Sequence, residues 1–145
     1  MKKTLTIPFP PSANHIWRAG NGRTYRSKEY KIFLNNVCVA WLATNRAGWR
    51  TDRFYKVEID LYPQDRRKFD VDNRIKPTLD ALTNANVWND DSQVVSVTAT
   101  KREPDKRRPR AVVAITPIER KETHEKKKAN DSRRSRGAHA RNANG

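Results

Sequence analysis

The sequence has one cysteine, Cys38, among its 145 residues. A single thiol excludes a disulfide scaffold and a zinc site built from cysteines. The five glycines are scattered and none belongs to a G-K-[ST] motif, which argues against nucleotide hydrolysis and a nucleotide cofactor. His15 is the only histidine before residue 118, so a Ser/His or Cys/His nucleophilic pair is not expected.

Long apolar runs are also missing. None approaches the roughly 18 residues of a membrane span, so we do not expect a transmembrane protein. Lys2 and Lys3 precede a short apolar stretch that Pro8, Pro10 and Pro11 interrupt, unlike the hydrophobic region of a secretory signal. We therefore expect a cytoplasmic protein.

Positive charge, by contrast, is in excess. Lys and Arg number 31 against 16 Asp and Glu, a formal charge of +15, which favours a polyanionic partner such as nucleic acid. In residues 119–145, nine Lys or Arg stand with four Asp or Glu, and the only hydrophobic residues are alanines. Such a segment cannot bury enough surface to offset its ordering entropy. The sequence predicts one domain at 1–118 and a disordered basic tail at 119–145.

Short strands are predicted at 4–7 and at 55–62, and richness in β-branched residues predicts two more at 94–101 and at 110–116. The strand at 55–62 alternates most regularly, with one apolar and one charged face. The charged, proline-containing segment 103–109 suggests that the last two strands form an antiparallel hairpin.

Two segments have helical spacing. Ser27 is suited to cap a helix that runs to about residue 47, with Gly48 directly beyond it. Its apolar face comprises Tyr30, Phe33, Leu34, Val37, Trp41 and Leu42. A second helix is predicted from Asp72 or Asn73, with Ile75, Leu79 and Leu82 on one face, and residues 14–26 are predicted to be a loop. Because helices and strands do not alternate regularly, we predict an α+β fold with a small mixed or antiparallel sheet and two main helices.

The densest chemical signal is at residues 66–73, where three cations precede Asp70 and Asp72. In extended backbone an i, i+2 spacing puts both carboxylates on one side, about 6 to 7 Å apart at Cα. Two such groups can converge on a hard cation, and Mg²⁺ is often held by one or two carboxylates with phosphate and water. The pair Asp90-Asp91 follows the second predicted helix, which we expect to return these carboxylates toward Asp70.

Each of these residues also has a structural interpretation. Asp72 is suited to cap the helix, a role compatible with metal binding. Asp90-Asp91 in isolation is typical of a polar turn. Lys76 lies four residues from both Asp72 and Asp80, and its spacing alone favours exposed ion pairs over a role in catalysis.

Three aromatic side chains lie in predicted loops near basic residues. Trp17, Tyr25 and Trp88 are suited to stack on nucleic-acid bases, but aromatic residues in such positions more often seal the edge of a core. We therefore favour the core role for them.

In combination, the motifs resemble the RusA family of Holliday junction resolvases. The resemblance spans about residues 4–118 and rests on Pro8-Phe9-Pro10-Pro11-Ser12-Ala13-Asn14, Gly22-Arg23-Thr24, Asp70-Val71-Asp72-Asn73, Lys76, Asp80-Ala81-Leu82 and Asp90-Asp91-Ser92-Gln93-Val94-Val95. It implies a dimeric, Mg²⁺-dependent endonuclease, of a kind frequent in phages, that nicks four-way DNA junctions. It implies catalytic, metal-binding roles for Asp70, Asp72 and Asp91 and a catalytic role for Lys76. For Asp91 and Lys76 these roles replace the polar turn and the exposed ion pairs that the residues alone favoured.

With this resemblance we expect Arg66, Arg67, Lys68 and Arg74 to grip DNA phosphates. The expected substrate is branched DNA in recombination and repair, in a bacterial or phage-infected cell. The basic tail has no counterpart in the resemblance. The alternative is a basic nucleic-acid-binding protein without catalysis, which the composition fits equally well and which requires no Mg²⁺.

Overall fold

A computed structural model describes residues 1–119. The elements in chain order are β1 (Lys3–Pro8), β2 (Trp17–Gly20), β3 (Arg23–Arg26), α1 (Lys28–Leu42), β4 (Phe54–Tyr62), α2 (Asp72–Asn84), β5 (Val94–Lys101) and β6 (Arg110–Ile118). Two short 3₁₀ helices lie at Ala13–His15 and Asp91–Gln93. The predicted α+β class is confirmed. The tail predicted at 119–145 lies, beyond Glu119, outside the described residues.

The main sheet has the strand order β1-β6-β4-β5. Strands β4 and β5 are parallel and α2 joins them, whereas β6 runs antiparallel to β1 and β4. The predicted hairpin of the last two strands is therefore wrong, because β4 lies between them. Their connection crosses the end of β4, where the Arg102 N–H donates to the Leu61 carbonyl and the Asp105 N–H to that of Pro63, both over 2.8 Å.

The central strand β4 carries the alternation expected from its sequence. Tyr55, Val57, Ile59 and Leu61 are at most 1% exposed and face the core. Burying a side chain of this size stabilises the fold by roughly 1.5 to 3 kcal/mol relative to leaving it exposed. This row fixes the register of the sheet, since a slip of one residue would turn it toward solvent.

Helix α1 begins as predicted and ends earlier. The Ser27 hydroxyl accepts a hydrogen bond from the Tyr30 N–H over 3.2 Å, which confirms the cap. The helix stops at Leu42, because Thr44 turns both its hydroxyl and its N–H onto the Trp41 carbonyl and so prevents regular continuation. Gly48 is therefore not the residue after the helix. Of the predicted apolar face only Leu42 is exposed, at 59%.

Residues 14–26 are not the predicted loop but mainly the hairpin β2–β3, which forms a second sheet. Its turn residues Asn21 and Gly22 have φ of 51° and 72°. Positive φ at both central residues is typical of the type I′ turn, whose twist matches that of paired strands. Short polar strands in a segment with little apolar alternation explain why the pattern suggested a loop.

Helix α2 starts at Asp72, as predicted, and buries Thr78, Ala81 and Leu82 against the core. Ile75 and Leu79 from the predicted apolar face are only partly buried. Within residues 1–119, no helix is both long and apolar enough to cross a membrane.

Candidate active site

Asp70 and Asp72 lie where the segment after β4 enters α2. Both carboxylates are exposed, and neither forms an ion pair within residues 1–119. The Asn73 amide donates to Asp70 Oδ2 over a long 3.5 Å. Asp72 does not cap the helix, because the capping position belongs to Val71 and no side chain bonds the N-terminal N–H groups there. Its charge in the first helical turn is nevertheless favoured by the helix dipole.

Asp90 and Asp91 have different surroundings. Asp90 caps the 3₁₀ helix Asp91–Gln93: its carboxylate accepts from the Ser92 N–H over 3.1 Å, and Gln93 Oε1 accepts from the Asp90 N–H over 2.8 Å. Hydrogen bonding from Ser92 lowers the pKa of the Asp90 carboxyl. The polar-turn interpretation thus holds for Asp90, while the exposed side chain of Asp91 makes no hydrogen bond or ion pair in the described part of the chain.

Asp91 lines a cavity of about 570 Å³ together with Lys76, Asp80, Trp17 and Arg26. Lys76 Nζ lies 3.6 Å from Asp80 Oδ2, so the expected i, i+4 ion pair with Asp80 forms. The Lys76 side chain is 70% exposed, and such pairs contribute little to stability. Lys76 is therefore available to a ligand in this cavity.

Asp70 lines a second cavity, of about 530 Å³, with Lys68, Arg74, Arg18 and His15. The helix α2 separates it from Asp91: thirteen residues span about 20 Å at 1.5 Å per residue. Asp70 follows the end of β4, whereas Asp91 precedes the start of the parallel strand β5. The helix therefore does not return Asp91 toward Asp70, because it carries the chain from the C-terminal end of β4 back to the N-terminal end of β5.

Among residues 1–119, no three acidic, histidine or cysteine side chains are grouped closely enough to hold a metal ion. The chemistry of the donors nevertheless suits Mg²⁺, since Asp70, Asp72 and Asp91 are exposed carboxylates that form no ion pair with the described cations. Mg²⁺ commonly binds through only one or two carboxylates and completes its shell with water and phosphate oxygens. Asp70 and Asp72 can supply such a pair, whereas Asp91 lines the other cavity, with Lys76.

The remaining predicted DNA-binding residues differ in exposure. Arg66 pairs with Glu103 over 3.0 Å and Arg67 with Asp65 over 3.3 Å, but both arginine side chains are at least 80% exposed. Exposed pairs of this kind dissociate at little cost. Lys68 is exposed and has no acidic partner within the described range.

Arg74 is held more tightly. Its guanidinium lies 5.1 Å from the ring centroid of Phe9 and 5.5 Å from that of Phe69, and Nη1 donates to the Pro10 carbonyl over 2.7 Å. Its Nε is buried and has no hydrogen-bond partner among residues 1–119, and burial lowers the pKa of the guanidinium. Arg74 thus links the N-terminal segment to the residue that precedes Asp70.

Two residues at this site were not predicted from the sequence as site residues. Phe69 packs edge-to-face on Phe9, with ring centroids 5.5 Å apart, and Lys101 donates from Nζ to the Phe69 carbonyl over 2.9 Å. Parallel pairing of β4 and β5 puts Lys101 at the edge where the segment to Asp70 leaves the sheet. The predicted hairpin concealed this proximity.

The three aromatic residues considered for stacking on bases are not alike. Trp88 is 1% exposed, and its Nε1 donates to Thr83 Oγ1 over 2.8 Å, which confirms the core role for it. Trp17 and Tyr25 are 56% and 51% exposed, so sealing the core is the wrong interpretation for these two.

Comparison with known proteins supplies the family. The sequence model described as Endodeoxyribonuclease RusA matches residues 8–116. Crossover junction endodeoxyribonuclease RusA of Escherichia coli strain K12 is 37% identical over 99 residues, which are 68% of this chain and 81% of that protein. The enzyme of the same name from Enterobacteria phage 82 is 36% identical over 97 residues, or 67% and 80% of the two chains. The chain therefore belongs to the RusA endodeoxyribonuclease family.

Proposed function

We propose that this protein is a Mg²⁺-dependent endonuclease that resolves four-way DNA junctions by paired nicks. The observation that carries the proposal is the 37% identity, over 81% of its length, to an enzyme named for cutting crossover junctions. The set of exposed, unpaired carboxylates on a protein of charge +15 supports it. The setting is recombination and repair in the cytoplasm of a bacterial or phage-infected cell.

Asp70, Asp72 and Asp91 would hold the metal. When bound, Mg²⁺ polarises the scissile phosphate and lowers the pKa of the attacking water. Lys76 would offset the negative charge that develops on the phosphate oxygens. Water attacks phosphorus directly, so the chain need supply no covalent nucleophile, in agreement with the absence of a Ser/His or Cys/His pair from the sequence before residue 118.

The cations divide by position. Arg66, Arg67 and Lys68 would contact flanking phosphates from the exposed segment before Asp70. Arg74 belongs to the same set, because its guanidinium lines the cavity that contains Asp70. Phosphate contacts of this kind fix the position of DNA without selecting its sequence.

The working enzyme would be a homodimer. A four-way junction has approximate two-fold symmetry, and a C₂ dimer presents two sites on that axis. Helix α1 carries an apolar stripe of Ile32, Val39 and Leu42, each more than half exposed, which suits an interface. Since Asp70 and Asp91 lie at opposite ends of α2, a dimer would also allow each site to combine Asp70 and Asp72 of one subunit with the partner's Asp91.

The experiment is cleavage of a synthetic four-way junction and its linear duplex, with and without Mg²⁺. We expect nicks in the junction only with Mg²⁺. Asp70→Asn, Asp72→Asn and Asp91→Asn should each remove cleavage while binding stays intact or tightens slightly, because each change also reduces repulsion of phosphates. Asp65→Asn is the matched control, since it removes an acidic charge from the same segment and should remain active.

Two results would contradict the proposal. Asp70→Asn that keeps more than about a tenth of the wild-type rate would remove Asp70 from the metal site. Junction binding without cleavage at any Mg²⁺ concentration would favour the non-catalytic alternative.

A further inference from the structure

The hairpin β2–β3 carries positive charge that no acidic side chain of residues 1–119 neutralises. Its ten residues, 17–26, include Arg18, Arg23 and Arg26 and no acidic residue. None of the three arginines forms an ion pair within the described residues. Every residue of the hairpin except Gly20 is exposed, along both strands and at the turn. A projecting arm of this composition complements a phosphate backbone.

Strand register assigns its side chains to two faces. Directly opposed residues share a face, so Trp17 lies with Arg26, and Arg18 lies with Tyr25. The Tyr25 ring also covers Gly20, where an added Cβ would approach Tyr25 Cε1 to 3.2 Å. The two exposed aromatic residues of the arm therefore point in opposite directions.

The two faces reach different cavities, and Arg18 on the Tyr25 face lines the one that contains Asp70. Trp17 and Arg26 line the cavity that contains Lys76 and Asp91. Tyr25 lines neither that cavity nor the one that contains Asp70. The Trp17 indole, 56% exposed beside two candidate catalytic groups, has no positive charge and offers a phosphate only its single N–H donor. Its flat π surface suits a base.

The position of Trp17 is fixed by its neighbours. It follows Ile16, which is 3% exposed in the core, and the Ser27 N–H donates to the Ile16 carbonyl over 2.7 Å. Trp17 thus lies at the anchored base of the arm, away from the turn at Asn21 and Gly22. A backbone that is already anchored need not be ordered on binding, which favours a role in recognition.

We propose that Trp17 is a specificity-determining residue that stacks on a base exposed at the branch point, next to the phosphate to be cut. In continuous duplex the base faces are covered by their neighbours, and exposing one costs a few kcal/mol, least where pairing is already disrupted. At a branch point the stack is interrupted and a base face can be reached. Trp17 therefore distinguishes branched DNA from duplex, whereas the arginines of the arm contact both. The inference rests on the proposed function.

The test compares variants by their affinity for a four-way junction and for a duplex of the same sequence, measured by fluorescence anisotropy in Ca²⁺ without cleavage. Removal of one base–aromatic stack should weaken junction binding by about 5- to 150-fold in Trp17→Ala. Duplex binding should change by less than about twofold. Trp17→Phe should restore most of the preference, and Trp17→Leu, which keeps apolar bulk without a ring, should not.

Tyr25→Ala is the matched control, because Tyr25 has a similar exposed fraction on the opposite face of the arm. We expect it to keep the junction preference. Light scattering and thermal unfolding of each variant verify that mass and fold are unchanged.

Two results for Trp17→Ala would overturn the inference: an equal loss of junction and duplex affinity, or no loss of affinity at all. A Trp17→Leu variant that keeps the junction preference would overturn it as well, and so would a junction-specific loss of affinity in Tyr25→Ala. A change of oligomeric mass in the Trp17 variants would also count against it, because the loss would then come from assembly. A wild-type protein without junction preference would overturn it too. A wild type that cleaves junctions while Trp17→Ala keeps its preference refutes only this inference. A junction preference that disappears in Trp17→Ala, in a protein that never cleaves, refutes only the proposed nuclease.

Discussion

Lys101, the last residue of β5, holds the backbone of Phe69 in the segment between β4 and α2. Its Nζ donates to the Phe69 carbonyl over 2.9 Å and lies 4.3 Å from the centroid of the Phe69 ring. The next residue is Asp70, so the last residue of β5 positions the first carboxylate of the candidate site. The parallel pairing that places Lys101 opposite Leu61 makes this contact possible.

The first prediction concerns this contact. Lys101→Met keeps the aliphatic stem and removes the donor, so the segment before Asp70 should lose its fixed position. We expect junction cleavage to fall by about tenfold to a hundredfold, the size of effect seen when a reacting group moves by about 1 Å. Stability should fall by only about 0.5 to 1.5 kcal/mol, the usual net contribution of one hydrogen bond.

Single-turnover cleavage and urea unfolding measure the two effects. Lys106→Met is the control, because Lys106 is exposed and its replacement removes the same charge from the neighbouring connection. Equal cleavage by the two variants would show that charge, and not the Phe69 contact, accounts for any loss.

The second prediction is a pH dependence in the connection between β5 and β6. The Asp105 carboxylate accepts from the N–H groups of Arg107 and Arg108 and from Arg110 Nη1, the last over 2.8 Å. These bonds, chiefly that from the Arg108 backbone and then that from the Arg110 side chain, hold the pKa of Asp105 below its ordinary value of 3.8. A lowered pKa in the folded state means that the ionised carboxylate stabilises the fold above the ordinary pKa. That contribution is lost as pH falls through the lower folded value.

Asp105→Asn should therefore unfold at a lower urea concentration than wild type at pH 7, by an amount that stays constant down to about pH 5 and shrinks below about pH 4. Glu103→Gln is the control, since within residues 1–119 the Glu103 side chain bonds only the exposed Arg66. If the difference in unfolding urea concentration between Asp105→Asn and wild type does not change with pH, the carboxylate charge is not its cause.

Local patterns predicted the elements that depend on nearby residues. The apolar row of β4, the Ser27 cap and the start of α2 follow from spacing and side-chain chemistry within a few positions. The hairpin β2–β3 was missed, although Asn21-Gly22 is a strong type I′ turn signal. Its strands are short and polar, so they lack the apolar alternation that identifies a half-buried strand.

Local patterns did not predict which strands pair across long stretches of sequence. The strands 94–101 and 110–116 are close in sequence, yet β4 is the neighbour of both. The same error hid Lys101 from the site. The expectation that α2 returns Asp91 toward Asp70 considered the helix alone, without the strands that it joins. A parallel β–α–β unit does the opposite, because its helix runs back along the strands and separates the residues at its two ends.

The third prediction concerns the basic C-terminal segment. Truncation after Ile118 removes a net charge of +5 and should leave a folded, active nuclease with weaker DNA affinity. For every phosphate that the shortened chain no longer binds, the slope of log affinity against log salt should decrease by about 0.9 on duplex DNA. A salt titration of both proteins measures this, and unchanged affinity and slope would mean that the segment does not contact DNA.

The last prediction concerns how the carboxylates are shared between subunits. Within one chain the helix α2, about 20 Å long, lies between Asp70 and Asp91. A metal ion held by both would need the partner's Asp91, so neither an Asp70→Asn homodimer nor an Asp91→Asn homodimer should have an intact site. A heterodimer of one Asp70→Asn chain and one Asp91→Asn chain differs, because one of its two shared sites combines wild-type residues only.

Differently tagged chains of the two variants can be mixed, purified as the heterodimer, and given a junction extruded from a supercoiled plasmid. We expect nicked circles from the heterodimer, linear product from wild type, and uncut plasmid from each variant alone. No wild-type chain is present, so subunit exchange cannot regenerate the normal enzyme. An inactive heterodimer beside an active wild type would place all three carboxylates of a site in one subunit. A monomer mass by light scattering at working concentration would exclude the dimer itself, and with it any sharing of Asp91.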